Sequence, residues 1–415
     1  MSGDTAPTRR AALLYGLRLG CISFGGPAGQ IAILHREVVD QRRWLSDAEF
    51  ARALNLCMLL PGPEALQLVI YLGWRWHGVL GGIIGGLTFL VPASLLLTGL
   101  SYVYVLYGTL APVAAAMAGL QCVVVALVLQ AVARLGRRTL AGWPERLVAL
   151  SAFVLLAFVH APFPAVLAIG ALTGALTQGD RGAPPRALPR PVSRGRTAVV
   201  LAAGAACWLL PWLIVVAAAP GSRAEPLYLY FTRVALGGFG GAYAVLAWVN
   251  QELVGALGWL QPRDLLAGLA LSETTPGPLV LVLQFYGFAT GWHSPGTLSP
   301  TASALLCSVL AAWATFLPSF VLVIALAPYV ERLQANHRLA ALLGGVSAAV
   351  VGVIAAFALG VASGVLVPAG RGHWPDPVAV GITVAAGAAL WRSRIGLPWL
   401  LAGGALASLA AAWLR

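Results

Sequence analysis

Charge is scarce: only 10% of the 415 residues are Asp, Glu, Lys or Arg, against 59% that are hydrophobic. Lysine is missing altogether, so all 26 basic residues are arginine, the signature of a GC-rich genome. Cysteine is also rare. Cys21, Cys57, Cys122, Cys207 and Cys307 are scattered, mostly inside apolar runs, with no C-x-x-C pair and no histidine at metal-ligand spacing. Neither a disulfide framework nor a structural metal site is indicated, and the five thiols read as small apolar packing residues. A chain so poor in charge cannot cover a soluble surface, so a bilayer must be its solvent. The net charge of +12 would suggest nucleic acid in a soluble protein. Here most arginines fall in joints between apolar runs, where they carry topology information and no nucleic-acid footprint.

What the sequence has in abundance is apolar runs of roughly 20 residues, each long enough to cross about 30 Å of hydrocarbon as a helix. They are not the short alternating segments of an outer-membrane barrel. The expected fold is therefore an all-α polytopic membrane protein. Arg9 and Arg10 precede the first run in the manner of a signal peptide, but Arg18 interrupts it and no small-residue cleavage site follows. It is read as the first membrane helix.

An internal repeat fixes the organisation. Phe24-Gly25-Gly26 returns as Phe239-Gly240-Gly241, and the same offset of 215 carries Arg18 to Arg233, Glu37 to Glu252 and Trp44-Leu45 to Trp259-Leu260. It also carries Pro61-Gly62-Pro63 to Pro276-Gly277-Pro278 and Tyr71 to Tyr286. An insertion around His293 to Thr301 then shifts the offset to about 226, pairing Pro92 with Pro318 and Gly119 with Gly345. The first half reads as a helix over 11–34, an amphipathic charged stretch over 35–50 and a helix over 51–77 broken at Pro-Gly-Pro. Helices over 79–107 and 110–133 follow, then a short pair over 147–177 split at Pro162-Phe163-Pro164. The expected domains are a first repeat over 1–177, a basic linker and single connecting helix over 178–226, and a second repeat over 227–415.

Six passes plus one is odd, so the second repeat is expected to enter the membrane from the opposite side, giving about 13 transmembrane helices in two inverted repeats. With the N-terminus inside, Arg134, Arg137, Arg138, Arg146, Arg332, Arg392 and Arg394 and the linker arginines Arg181, Arg186, Arg190, Arg194 and Arg196 all face the cytoplasm. The stretch with Arg36, Arg42 and Arg43 falls outside, nearly neutralised by Glu37, Asp40, Asp47 and Glu49.

Pro-Gly-Pro inside a membrane helix removes two backbone donors and lets the chain open. Such breaks survive where they pack against protein or line a polar cavity. A single proline could be a simple kink; two copies at matching places point to a binding site. The half-helices beyond each break would offer free amides and the positive end of a dipole, which suits an anion. Glu64 follows the first break and Glu273 precedes the second in Glu273-Thr274-Thr275-Pro276-Gly277-Pro278. Carboxylates repel an anion when charged, so they are expected to carry protons or to hold arginine. Arg18 and Arg233 lie one to two turns before the Phe-Gly-Gly motifs, where guanidinium groups could bind oxyanions or snorkel to headgroups; for Arg75, snorkelling is the expected role. Gly25, Gly26, Gly240 and Gly241 could line a pore or let helices approach.

At these residues the sequence resembles the chromate ion transporter family in its long, two-domain form. The resemblance rests on Phe24-Gly25-Gly26-Pro27-Ala28-Gly29-Gln30, on Trp44-Leu45-Ser46, and on the run from Asn55 through Pro61-Gly62-Pro63-Glu64 to Ala65. In the second half it rests on Phe239 to Leu246 and on Glu273 to Leu279. It implies export of chromate from the cytoplasm across the inner membrane and chromate resistance, with sulfate as the look-alike tetrahedral oxyanion. Expected partners are the anion and the lipid bilayer, with no nucleic acid and with a homodimer left open. No cofactor, metal or catalytic residue is expected. The competing reading of a membrane redox enzyme would need a cofactor site, and the sequence offers no cysteine pair and no dinucleotide motif.

Overall fold

In the computed structural model, which describes residues 7–177, 194–330, 337–367, 374–392 and 395–414, every regular element among those residues is helical. The first half runs α1 (Arg9–Ile22), α2 (Gly26–His35), a π turn (Arg36–Gln41), α3 (Asp47–Leu59), α4 (Glu64–Tyr107), α5 (Ala111–Thr139), α6 (Trp143–Ala157) and α7 (Phe163–Thr177). After α8 (Arg194–Ala218) come α9 (Ala224–Gly237), α10 (Ala242–Val249), a second π turn (Asn250–Ala256) and α11 (Pro262–Thr274). A 3₁₀ turn (Leu279–Leu281) leads into α12 (Val282–His293), then α13 (Pro300–Leu326), α14 (His337–Leu366), α15 (Pro377–Arg392) and α16 (Leu397–Trp413). Helices α4, α5, α8, α13 and α14 are long and apolar enough to cross a bilayer, and α7, α15 and α16 are shorter apolar helices. The chain is an all-α polytopic membrane protein. Arg181, Arg186, Arg190, Arg332 and Arg394, used above for topology, lie outside the described residues.

The helix expected over 11–34 is in fact two. Gly25 and Gly26 take φ of +94° and +66°, a region closed to most side chains, and Pro27 then fits the first turn of α2. The second half breaks in the same way, with Gly240 and Gly241 at +90° and +87°. Run length alone hides this break, because Gly-Gly-Pro does not interrupt hydropathy. Within α4, His77 and Gly78 leave helical geometry, so the element is a hairpin of two helices, as the expected boundary between 77 and 79 requires. Its arms approach through glycine: a methyl on Gly73 would lie 2.3 Å from the Gly81 carbonyl oxygen. Gly16 and Gly20 bring α1 equally close to Thr88 and Phe89.

The π turns end identically in the two halves. Arg42 N donates to Glu37 O at 2.9 Å and Trp44 N to Val38 O at 2.8 Å; Leu257 N donates to Glu252 O at 2.7 Å and Trp259 N to Leu253 O at 2.8 Å. The residue between takes positive φ in both, Arg43 at +51° and Gly258 at +60°.

By contact density the chain forms two compact units, each drawing on both halves of the sequence. One comprises Met1–Gly99, Asp180–Ala242 and Thr275–Ala340. Here α13 packs along α12, α9 and α8. Pro211 inside α8 deprives the Cys207 carbonyl of its helical donor. Trp313 Nε1 supplies one at 3.0 Å, and Tyr228 Oη donates to Trp208 O at 2.9 Å, so neither carbonyl is orphaned.

The other unit comprises Leu100–Gly179, Tyr243–Thr274 and Ala341–Arg415. Its packing exchanges partners between the halves: α5 lies on α15 and α16, while α14 lies on α6 and α7. A methyl on Gly119 would meet Gly404 O at 2.1 Å, and one on Gly345 would meet Gly170 O at 2.0 Å. These are the two glycines paired by the sequence offset. Gln251 holds the α6–α7 turn by accepting from Phe163 N at 3.1 Å and donating to Ala161 O at 2.8 Å. Trp143, Trp374, Trp391, Trp399 and Trp413 stand exposed at or near the ends of α6, α15 and α16, where indole rings sit at headgroup level.

Candidate functional site

Both Pro-Gly-Pro breaks fall within the first compact unit. Leu60 is extended, as a residue before proline must be, and that ends α3. Gly62 then takes φ of +119° and α4 starts at Glu64. Gln67, fully buried on the first turns of α4, donates from Nε2 to the Pro61 carbonyl at 2.6 Å and from its backbone to Pro63 O at 3.0 Å. A methyl on Gly62 would lie 2.4 Å from Ser319 Oγ and 2.8 Å from Gln67 Nε2.

At the second break Gly277 takes φ of +97° and its N–H donates to Ser23 O at 3.0 Å. Gln30 Nε2 donates to the Gly277 carbonyl. A methyl on Gly277 would lie 2.5 Å from Ala93 Cβ. Ala93 follows Pro92 in α4 and Ser319 follows Pro318 in α13, so each break packs on the matching residue of the other half. The Phe-Gly-Gly motifs follow the same cross-pairing. The first, through Ser23 and Gln30, holds Gly277; in the second, a methyl on Gly241 would sit 3.6 Å from Glu64 Oε1.

The surroundings are polar and buried. Ser23, Gln30, Gln67 and Ser319 are each no more than 1% exposed, and Ser23 Oγ, Gln30 Oε1, Gln67 Oε1 and Ser319 Oγ have no hydrogen-bond partner among the described residues. Orphaned polar atoms so fully buried are costly. Nearby on α4 and α12, Gln284 accepts from Ser94 Oγ at 2.8 Å and donates to Thr98 Oγ1 at 2.6 Å.

Not every candidate gathers there. Glu273 belongs to the second unit, where it is buried and accepts from Tyr243 Oη at 2.7 Å. Thr274 turns its hydroxyl back to Leu271 O at 2.7 Å, while Thr275 and Pro276 are buried in the break itself. Arg18 is exposed and lies 3.8 Å from Glu37 Oε1, and Arg233 is exposed with its guanidinium 5.4 Å from the Tyr230 ring centre. Arg75 pairs with Glu49. Among the described residues no group of three His, Cys, Asp or Glu side chains could hold a metal ion.

Sequence reasoning gave no role to Gln30, Gln67, Ser319 or Tyr243. A glutamine three residues into the helix that follows a double proline was a usable signal for Gln67, since it can serve the carbonyl the prolines strand. Ser319 had no such signal, because its importance comes from contact with the other half.

The family model described as Chromate transporter matches residues 11–175 and 226–409. The chain belongs to this family. It is 35% identical to the chromate transport protein of Pseudomonas aeruginosa, over 82% of this chain and 78% of that protein. It is 30% identical to a probable chromate transport protein of Synechococcus elongatus, over 82% and 81%. With the chromate transport protein of Cupriavidus metallidurans it shares 27% identity over 99% of this chain and 95% of that one. No solved structure matches. Membership in the chromate transporter family indicates transport across a membrane as the class of function.

Proposed function

We propose that the chain is a secondary transporter that carries chromate out of the cytoplasm across the inner membrane, coupled to protons, and thereby confers chromate resistance. The observation that carries this reading is the reciprocal packing of the two Pro-Gly-Pro breaks, each held against buried polar side chains, in a chain of the chromate transporter family. Amides at the start of α4 suit a tetrahedral oxyanion, which needs donors and gains from the helix dipole. Glu64 beside the first break and Glu273 on the helix leading to the second are the proton carriers, and Tyr243 orients the latter. The repeats over 1–177 and 227–415, joined by 178–226, are inverted about thirteen passes, an arrangement that many secondary transporters use to expose one site alternately to the two sides of the membrane. Arg18 and Arg233 draw the anion in by charge.

Accumulation of radiolabelled chromate in whole cells tests this. Cells that express the chain should retain less chromate than cells without it, and excess sulfate should compete weakly. Equal retention with and without the chain would refute chromate export; labelled sulfate moving in its place would make sulfate the substrate.

A further inference from the structure

A cavity of about 410 Å³ lies apart from both breaks, within the first compact unit, between α1 and the two arms of α4. Its walls are aliphatic, with Leu13, Leu34, Val69, Leu72 and Ile84 lining it. Leu14 and Leu80, which also line it, are more than half exposed, so the cavity opens outward. For a chain whose solvent is a bilayer, what reaches such an opening is a lipid.

The polar residues of the cavity gather at one end. Arg9 and Arg10, both exposed, open α1, while Trp76 and His77 close the first arm of α4 at the Gly78 turn. α1 runs beside the second arm, where a methyl on Gly16 would lie 2.2 Å from Thr88 Oγ1 and one on Gly20 2.8 Å from Phe89 O. Arg9 and Arg10 precede Gly16 by about two turns, which brings them near the level of the Gly78 turn. Indole and guanidinium groups at one level mark the headgroup zone of a bilayer. Tyr15 and His77, which line the cavity, keep Oη and Nε2 buried with no hydrogen-bond partner among the described residues.

The second repeat has neither the charge nor the room. The offset of 215 carries Arg9 and Arg10 to Ala224 and Glu225, and Gly16 and Gly73 to Phe231 and Phe288, both fully buried. Two aromatic rings thus stand in the second half where two glycines line the cavity of the first.

We propose that this cavity binds one anionic phospholipid, with its phosphate on Arg9 and Arg10 and an acyl chain between α1 and α4. Guanidinium groups hydrogen-bond phosphate oxygens well, and basic pockets between membrane helices take anionic headgroups. A zwitterionic lipid would set its own cation against the same two arginines. The lipid joins the helix that leads into Phe24-Gly25-Gly26 to the helix that starts at the first Pro-Gly-Pro break.

Native mass spectrometry of the delipidated full-length protein, titrated in detergent with phosphatidylglycerol or phosphatidylcholine, tests the assignment. One phosphatidylglycerol should bind per chain, roughly tenfold or more tighter than phosphatidylcholine. Arg9→Gln with Arg10→Gln changes exposed side chains only, so the fold should survive while the preference disappears. Ala12→Phe puts a ring into the cavity and keeps both charges, and it should weaken both lipids. Arg137→Gln, exposed at the end of α5, should change neither affinity nor preference. Water-soluble glycerophosphoglycerol, which carries the same phosphate without acyl chains, should not compete. Equal binding of the two lipids, an undiminished preference in the double Gln variant, or unchanged binding in Ala12→Phe would overturn the site. So would competition by glycerophosphoglycerol, which would make it a site for phosphate alone, or a second chain bound in place of the lipid.

Discussion

Replacing Gly277 by alanine probes the cross-packing of the breaks at its tightest point. Two costs add. A residue with a side chain at φ of +97° is strained by about 1–2 kcal/mol relative to glycine. The new methyl would also lie 2.5 Å from Ala93 Cβ, well inside contact distance, and overpacking of that kind costs about 1–3 kcal/mol. The variant should lose about 2–5 kcal/mol, a large part of the roughly 5–15 kcal/mol that holds a typical domain folded. Ala93→Gly alone should cost about 1 kcal/mol, as glycine does in a helix interior. Together the two should cost less than their sum, because removing the Ala93 methyl relieves the clash and not the backbone strain; the coupling should be about 1–3 kcal/mol. Reversible unfolding of the solubilised protein measures all four corners of the cycle. Additivity to within about 0.5 kcal/mol would refute the contact between the second break and the first half.

Glu64→Gln and Glu273→Gln keep shape and remove titration, so each should flatten the pH dependence of transport while some substrate binding survives; wild-type pH profiles in both would make these carboxylates structural. Arg18→Gln and Arg233→Gln should weaken apparent chromate affinity, with lysine restoring part of it if charge matters more than the planar fork. Unchanged affinity in well-expressed Gln variants would leave both as interfacial anchors. Trp313→Phe removes the donor that serves the Cys207 carbonyl and should cost about 1–3 kcal/mol in thermal unfolding, with no effect on chromate affinity. Single cysteines near Arg186 and near Thr297 should label from opposite faces of the membrane, and labelling of both from the periplasm would rule out thirteen passes.

Much of this architecture was legible because membrane helices announce themselves by length and because the repeat carries its own register. The offset that pairs Gly62 with Gly277 and Gly25 with Gly240 predicted positions that share positive φ, and it even aligned Arg43 with Gly258, where only one half has the residue the backbone prefers. Helix ends inside continuous hydropathy were harder. Phe24-Gly25-Gly26 splits a run that reads as one span, since glycine and proline change backbone geometry without adding polarity. The candidate site was half visible: the breaks and Glu64 stand out locally, whereas Gln30 and Ser319 act across roughly 250 residues of sequence, on Gly277 and Gly62. Such contacts leave no local pattern. The two carboxylates show the same limit, because Glu64 and Glu273 flank matching motifs yet lie in different compact units.

Chromate flux in proteoliposomes tests the central claim most directly, with the purified chain as the sole protein and pH and voltage imposed independently. The account predicts saturable movement of labelled chromate that follows the imposed pH gradient and stops when a protonophore collapses it. Chromate movement no faster than in protein-free vesicles, or flux indifferent to the pH gradient, would contradict it.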